Sequence, residues 1–215
     1  QLLPALWDSW VAFIDELGAT QRYTQLDDEQ LVEDLELMKL ARVALGDYAD
    51  TPGLSTTFSD NIVVNGPVLV IPLRHILETI ARYQLLHTIR GRFLRGALVR
   101  GKLYAEPGLV MGPGLVHAAQ LEKEYAIYPR ILVDDAAARD PNAIPAKHTE
   151  MDVISPYLNV DKDGLRFVNY LQASDAAIEG ESHQEALVKA HGEEIINAVI
   201  RARDAALGTD VLGKY

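Results

Sequence analysis

The chain has 215 residues, of which 48% are hydrophobic and 24% charged, and its formal net charge is −11. Such a length and composition are ordinary for one globular domain, or for one domain with an appended extension. The negative charge argues against a general nucleic-acid or membrane surface, and the lack of cysteine excludes disulfides, thiolate metal sites and cysteine nucleophiles. No apolar run could cross a bilayer, and nothing near Gln1 resembles a signal peptide. The lack of cysteine fits a cytoplasmic protein, which is what we expect.

The first half of the chain alternates strand and helix patterns. Aromatic and β-branched residues predict a strand over residues 7–14, and helical periodicity after an acidic first turn predicts a helix over residues 27–45. Residues 54–64 predict two short strands hinged at residues 59–61. The periodicity then predicts a second helix over residues 68–88.

The second half completes an α+β pattern. We predict a strand over residues 93–101, a hairpin over 102–111, a short helix over 113–124 and a strand over 128–133. The order strand–helix–strand–strand–helix–strand is that of a ferredoxin-like βαββαβ sandwich, with its core at about 7–133.

A looser extension follows the core from about residue 134 to residue 215. It is predicted to contain a strand pair near residues 158–168 and a long helix at about 183–207. We interpret residues 1–215 as a single domain with a C-terminal helical extension.

Two aspartates each follow or interrupt an apolar strand. Asp15 comes after the first strand, and Asp60 lies at the hinge between the two short strands. A ferredoxin-like sheet sets the first strand beside the hairpin, so the two carboxylates can meet. Paired hard oxygens suit Mg²⁺ or Mn²⁺, which can activate a hydroxyl and neutralise a transferring phosphoryl group. The alternative interpretation is that each aspartate is a turn former.

Two further features indicate an anion site. Leu17, Gly18 and Ala19 follow Asp15 and could bring backbone amides close to a phosphate. Seven Lys or Arg residues and one acid lie between positions 74 and 102, although several of these cations could be solvated charges at helix ends. Arg95 and Arg100 lie on a predicted strand, from which an Arg can reach a triphosphate or a base edge.

Four segments resemble the catalytic domains of class III nucleotidyl cyclases. They are FIDELGA (13–19) and TFSDNIVV (57–64), which resemble the segments with the two metal aspartates, and RGALVRG (95–101) and GPGLVHAAQLE (112–122), which resemble a core strand and the following helix. The four segments come in the same order as in that family. The resemblance therefore implies the class III cyclase fold.

Four positions depart from the purine-cyclase pattern. Thr56 stands at one base-reading position and Pro113 at the other. Val116 and Gln120 stand where those enzymes have the Asn and Arg that stabilise the transition state. Both metal aspartates are kept while the purine-reading and transition-state residues are lost, which disfavours a purine cyclase.

This combination, with the run GPGLVHAAQLEKEYAIYPRI (112–131), resembles the small bacterial pyrimidine cyclases of the Pycsar antiphage systems. The resemblance implies a soluble homodimer with active sites at its interface, which makes a cyclic pyrimidine monophosphate as a second messenger. UTP is the favoured substrate and CTP the alternative. A catalytically inactive nucleotide-binding or dimerisation module is the competing interpretation, and Val116 and Gln120 favour it.

The resemblance also assigns roles to single residues. Asp15 and Asp60 are implied as catalytic ligands of two Mn²⁺ or Mg²⁺ ions, with the Glu16 carbonyl as a further ligand. Thr56 and Arg100 are expected in a rebuilt base pocket. Arg130 is expected either to replace the lost transition-state Arg or to form a structural ion pair.

Overall fold

A sheet runs through the part of the chain that the computed structural model describes, which is residues 6–44, 55–58, 60–88, 90–138 and 155–172. Its eight strands are β1 (Trp7–Glu16), β2 (Ser55–Phe58), β3 (Asn61–Pro67), β4 (Leu94–Glu106), β5 (Leu109–Met111), β6 (Ile131–Val133), β7 (Leu158–Val160) and β8 (Arg166–Val168). The order across the sheet is β2-β3-β1-β4-β6-β8-β7, and β5 pairs with β4. β1 is antiparallel to both β3 and β4, whereas β4 and β6 are parallel.

Helices cover both faces of this sheet. The described helices are α1 (Ala19–Tyr23), α2 (Asp28–Ala44), α3 (Leu73–Thr88), α4 (Pro113–Tyr125) and α5 (Asp135–Ala138), with 3-10 turns at Ser155–Tyr157 and Tyr170–Gln172. α3 packs with Trp10 and Leu98 on one face, and α4 packs with Val11 and Val99 on the other. Neighbouring residues of β1 and β4 therefore point to opposite faces, as strand geometry requires.

β1 is the central strand that positions the rest of the fold. Its residues Trp10, Val11, Ala12 and Ile14 are buried, because both faces are covered and both edges are paired. The indole N–H of Trp10 donates to the Ile71 carbonyl at 2.9 Å, which satisfies its polar atom within the core. The C-terminal end of β1 is thus held rigidly where the chain reaches Asp15.

α4 lies close to the sheet because glycines meet at the contact. A Cβ added at Gly101 on β4 would lie 2.6 Å from the Gly114 Cα on α4, which is closer than real Cβ contacts allow. Gly114 is buried, and Ala118, one turn later, is fully buried. Small residues at the helix–strand contact therefore let α4 approach β4 and carry its side chains onto the sheet.

The structure confirms the α+β fold class and most predicted elements. β1, α2, the β2–β3 pair, β4, α4, β6 and the β7–β8 pair all lie where the sequence predicts them, within a few residues. The predicted helix over 183–207 lies outside the described residues. Among the helices that the structure describes, none is long and apolar enough to span a membrane.

Three predictions of local structure were incomplete. The second helix begins at Leu73, not at residue 68, because the N–H groups of Val70 and Ile71 close a turn onto the Pro67 carbonyl and Pro72 precedes the helix. The short helices α1 and α5 were not predicted. Each spans at most five residues, too short to show a helical repeat in the sequence.

Candidate functional site

The two aspartates come together at one end of the sheet. Asp15 lies near the end of β1, and Asp60 lies in the turn before β3, the strand that pairs with β1 up to Ile14 and Ile62. Burial raises the pKa of Asp15 and the nearby Asp60 raises it further, whereas Arg95 lowers it. The predicted meeting of the two carboxylates is therefore present in the structure.

Arg95 connects Asp15 to the helix α4. It lies opposite Asp15 in the β1–β4 register, and its Nε and Nη2 donate to Asp15 Oδ2 at 3.1 and 2.9 Å. The same Nε lies 2.7 Å from Oε1 of Glu122, a residue of α4. The predicted substrate contact of Arg95 is not supported within this chain, because two carboxylates already engage its guanidinium.

The charges of this cluster do not cancel. Asp15, Asp60 and Glu122 bring three carboxylates and Arg95 brings one guanidinium, so the four ionised side chains sum to −2. Burial, together with the charge of Asp15, raises the pKa of Glu122, although Arg95 opposes this shift. A partly buried cluster of net negative charge is stabilised by a cation that enters it.

The donor set fits a hard divalent cation. Asp15 and Asp60 supply carboxylate oxygens, and Mg²⁺ and Mn²⁺ bind one or two carboxylates while keeping water or phosphate oxygens as further ligands. Within the part of the chain that the structure describes, no group of three or more His, Cys, Asp or Glu side chains is placed to hold a metal ion. The fit therefore rests on the two carboxylates of Asp15 and Asp60, with water or phosphate oxygens as the remaining ligands.

Glu16 points away from this cluster, to the face that carries α3. Its carboxylate accepts hydrogen bonds from Arg22 at 2.8 and 3.1 Å and lies 3.9 Å from Arg92. Both guanidinium groups also pair with Asp34 of α2. Two acids and two arginines make this second cluster neutral. The Glu16 carboxylate cannot bind a cation together with Asp15, because it lies on the opposite face of the sheet. A role for the Glu16 carbonyl stays a prediction.

The segment from Leu17 to Ala19 forms the turn into α1. Gly18 has φ 76°, a left-handed conformation that favours glycine. The Leu17 N–H donates to the Phe93 carbonyl at 2.8 Å, so the prediction that this amide contacts a phosphate is not supported. Ala19 begins α1 with its methyl group buried, and an amide contact from Gly18 or Ala19 stays a prediction.

Thr56 and Arg100 do not share a pocket within one chain. Thr56 pairs with Val63, whose side chain lies on the α4 face, whereas Arg100 pairs with Trp10 on the α3 face. Arg100 donates through Nε and Nη2 to Asp8, at 3.0 and 2.5 Å, and thereby lowers the pKa of Asp8. The Thr56 hydroxyl is buried and lacks a hydrogen-bond partner, so of the two side chains it is Thr56 that leaves a polar atom unsatisfied on the α4 face.

Arg130 forms a structural ion pair, the second of its two predicted roles. Its guanidinium lies 2.5 Å from a carboxylate oxygen of Asp161 and of Asp163, and it also donates to the Tyr125 carbonyl at 3.2 Å. Burial lowers the pKa of Arg130, but the hydrogen bond and charge of Asp163 and the charge of Asp161 outweigh burial and raise it. The side chain thus ties the β7–β8 turn to the end of α4, and its role as a transition-state group is not supported within this chain.

Glu122 is the site residue that the sequence reasoning missed. Gly114, Ala118 and Glu122 recur every four residues and form the buried side of α4. A carboxylate on the buried stripe of an amphipathic helix requires a partner, which is the signal that could have identified it. The two transition-state positions of the family pattern lie elsewhere on α4, where Val116 is 58% exposed and Gln120 is exposed.

The sequence matches no protein-family model and no curated protein. Its fold is similar to that of the adenylyl cyclase CyaB from P. aeruginosa, with a TM-score of 0.51 and 13% identity over 78% of this chain and 96% of the other. A monomeric guanylyl cyclase domain of the RhoGC fusion protein from the fungus Blastocladiella emersonii matches at TM-score 0.51 and 11% identity, over 78% and 98%.

A bacterial light-regulated adenylyl cyclase matches at TM-score 0.51 and 13% identity, over 79% of this chain and 54% of that chain. Identities this low show likeness of fold alone. The chain therefore has the fold of the nucleotide cyclase catalytic domains, in agreement with the segments that resemble that family.

Proposed function

We propose that the protein is a nucleotide cyclase that converts a pyrimidine nucleoside triphosphate to its 3′,5′-cyclic monophosphate and pyrophosphate. The observation that carries this proposal is the pair Asp15 and Asp60, which come together on a cyclase fold inside a cluster of net charge −2. In a fold shared by adenylyl and guanylyl cyclases, such a pair is suited to hold Mn²⁺ or Mg²⁺ at a triphosphate.

The reaction forms the bond between the ribose O3′ and the α-phosphorus as the bond to pyrophosphate breaks. Two bound divalent cations would supply charge neutralisation and a lowered pKa of the 3′-hydroxyl. Asp15 and Asp60 supply the carboxylate oxygens that would bind the cations, and Arg95 fixes the orientation of Asp15 through two hydrogen bonds. The rigid centre of the sheet keeps these groups preorganised, which lowers the cost of reaching the transition state.

The pyrimidine preference rests on the base-reading positions. Thr56 offers a short hydroxyl in place of a long purine-reading side chain, and its buried oxygen lacks a partner on the α4 face. A base that hydrogen-bonds this hydroxyl would satisfy it. UTP is favoured over CTP because of the resemblance to the Pycsar cyclases. The proposal also includes a cytoplasmic location and a cyclic product that acts as a second messenger in antiphage defence.

The proposal includes a homodimer with the active sites at its interface. Val116 on α4 is 58% exposed and Gln120 is also exposed, so this surface of α4 is open to a second subunit. A partner subunit could supply the transition-state cation that Arg95 and Arg130 do not supply within one chain. Enzymatic activity is therefore expected to fall on dilution below the dimer dissociation constant.

Product analysis tests the proposal. Purified protein is incubated with Mn²⁺ and each of UTP, CTP, ATP and GTP, and cyclic products are separated by chromatography and identified by mass. We expect cyclic UMP, and none from an Asp60→Ala control that stays folded. A cyclic purine product would contradict the preference for a pyrimidine base. Near-normal turnover by Asp60→Ala would show that Asp60 is not a required metal ligand.

The second candidate is a cyclase-fold module without activity. Val116 and Gln120 at the transition-state positions favour it, because Val116 has no hydrogen-bond donor and Gln120 has no positive charge to offer a negatively charged transition state. Retention of the Asp15–Asp60 pair opposes it, since an unbalanced acidic cluster has no purpose in a module that binds no cation. A folded, dimeric preparation that binds UTP but yields no cyclic product from any of the four nucleotides would decide for the module.

A further inference from the structure

Glu122 reaches the site from the helix α4. Its side chain is only 7% exposed, and its Oε1 lies 2.7 Å from Arg95 Nε. The two atoms are close, but the contact is an ion pair without hydrogen-bond alignment, and Oε1 has no hydrogen-bond partner. A buried carboxylate is unfavourable unless a charge compensates it, and the attraction to Arg95 offsets part of the cost of burying the Glu122 charge.

Arg95 is shared between two carboxylates on either side of it. Both of its hydrogen bonds to Asp15 end on Oδ2, so Oδ1 accepts neither of them. Nε, the atom that bonds Asp15 at 3.1 Å, is also the atom nearest Glu122. Glu122 and Asp15 therefore share the Arg95 guanidinium, and Asp15 keeps one carboxylate oxygen without a hydrogen bond from it.

We propose that Glu122 is a positioning residue that restrains and neutralises Arg95 and thereby keeps Asp15 able to bind a divalent cation. A guanidinium beside a cation site repels the cation, and a carboxylate paired with that guanidinium offsets the repulsion. Glu122 acts through Arg95 and touches neither the cation nor the nucleotide. The inference rests on the proposed function, because it takes Asp15 and Asp60 as the cation ligands.

Replacing Glu122 by Gln keeps the shape of the side chain and removes its charge. Arg95 then keeps its full charge beside Asp15, so we expect Mn²⁺ to bind about 10 to 100 times more weakly, as is typical when a group that supports a metal ligand is lost. The measurement is the electron paramagnetic resonance signal of free Mn²⁺ during titration. It is made with the protein alone and with α,β-methylene UTP, which carries a triphosphate that resists cyclisation.

Glu124→Gln is the matched control. Glu124 lies on the same helix two residues later and is exposed, so this variant removes the same charge without touching Arg95. Its Mn²⁺ affinity should stay within about twofold of the wild type, since water and salt screen exposed charges. In an Arg95→Gln background, Glu122→Gln should change the affinity by less than about threefold, because the side chain through which Glu122 acts is gone.

Each outcome decides the proposal. Unchanged Mn²⁺ affinity in Glu122→Gln, with no binding by Asp15→Asn, would overturn the positioning role and leave the proposed function standing. A wild-type protein that binds no Mn²⁺ under either condition would overturn both. If circular dichroism shows that Glu122→Gln does not fold, Arg95→Lys replaces it. Lysine keeps the charge but cannot bridge two carboxylates, so unchanged affinity in that variant overturns the proposal.

Discussion

Asp15 and Glu16 are consecutive residues of β1, yet they belong to clusters of different character. On the α4 face, Asp15 joins Asp60, Glu122 and Arg95, three acids with one cation. On the α3 face, Glu16 joins a cluster of two acids and two cations, completed by Arg22, Asp34 and Arg92. One cluster carries a net charge of −2 and the other is neutral.

The difference separates a binding role from a structural one. The neutral cluster ties β1 to α1, α2 and the start of β4, and every one of its charges has an opposite charge beside it. In the acidic cluster, burial raises the pKa of Asp15 and the nearby Asp60 raises it further, so the ionised form of Asp15 is unfavourable in the folded state. Such a cost is expected at a site whose task is to bind a cation, and not at one that only holds the fold.

The largest expected effect is the loss of activity in Asp15→Asn. Turnover of the preferred nucleotide should fall at least about a thousandfold, the scale seen when a group that stabilises transition-state charge is lost. Stability should be unchanged or slightly higher, because a raised pKa means that the charge of Asp15 disfavours the fold. Product formation and urea unfolding measure the two effects. A marked loss of stability would show that the acidic cluster is structural as well.

The corresponding variant in the neutral cluster, Glu16→Gln, is expected to lower the stability of the fold and to leave the catalytic activity largely unchanged. It leaves Arg22 and Arg92 short of one carboxylate, and breaking a buried charge network costs about 3 kcal/mol. Urea unfolding measures this loss of stability. Glu33→Gln is the control, because Glu33 is an exposed acid of α2, and it should change the stability by less than about 0.5 kcal/mol. Turnover per folded molecule should stay within about tenfold of the wild type, since the Glu16 side chain orients no reacting atom. A larger loss of turnover would show that the neutral cluster also contributes to catalysis, which would contradict its assignment to a structural role alone.

The sequence was sufficient to predict where Asp15 and Asp60 meet, because strand order alone brings the end of the first strand beside the hairpin turn. It was also sufficient to separate Arg95 from Arg100, although this was not done. Five positions apart on one strand, the two must point to opposite faces. The pairing of Arg95 with Glu122 needs the crossing of α4 over β4, and no local pattern specifies that crossing. The choice between the two roles of Arg130 likewise depended on where a distant hairpin, with Asp161 and Asp163, packs.

A buried histidine near the neutral cluster makes a pH-dependent prediction. Burial and the charges of Arg22 and Arg90 together lower the pKa of His87 to about 4, against the opposing effect of a hydrogen bond that His87 donates to the Tyr83 carbonyl. Because the unfolded chain binds the proton more readily, stability from this group is present above about pH 6.5 and falls as pH drops toward 4, by about 3 kcal/mol.

Urea unfolding between pH 4 and pH 7, compared between the wild type and His87→Gln, measures this contribution. Subtracting the two curves removes the carboxylates that titrate in both proteins. The difference should rise with pH across this window. A flat difference would mean that His87 binds its proton equally readily in the folded and unfolded states, so that the fold does not lower its pKa.

The smallest expected effect comes from the contact that brings α4 to the sheet. Gly101→Ala places a methyl group 2.6 Å from the Gly114 backbone, so α4 must shift, at a cost of about 2 kcal/mol. Gly108→Ala is the control, because its added methyl meets nothing within 4 Å and only its left-handed backbone is strained, at about 1 kcal/mol. Since α4 carries Glu122 to Arg95, the shift should also weaken Mn²⁺ binding in Gly101→Ala and not in Gly108→Ala. If both variants bind Mn²⁺ equally well, the acidic cluster does not depend on the position of α4, and its geometry is set by the strands alone.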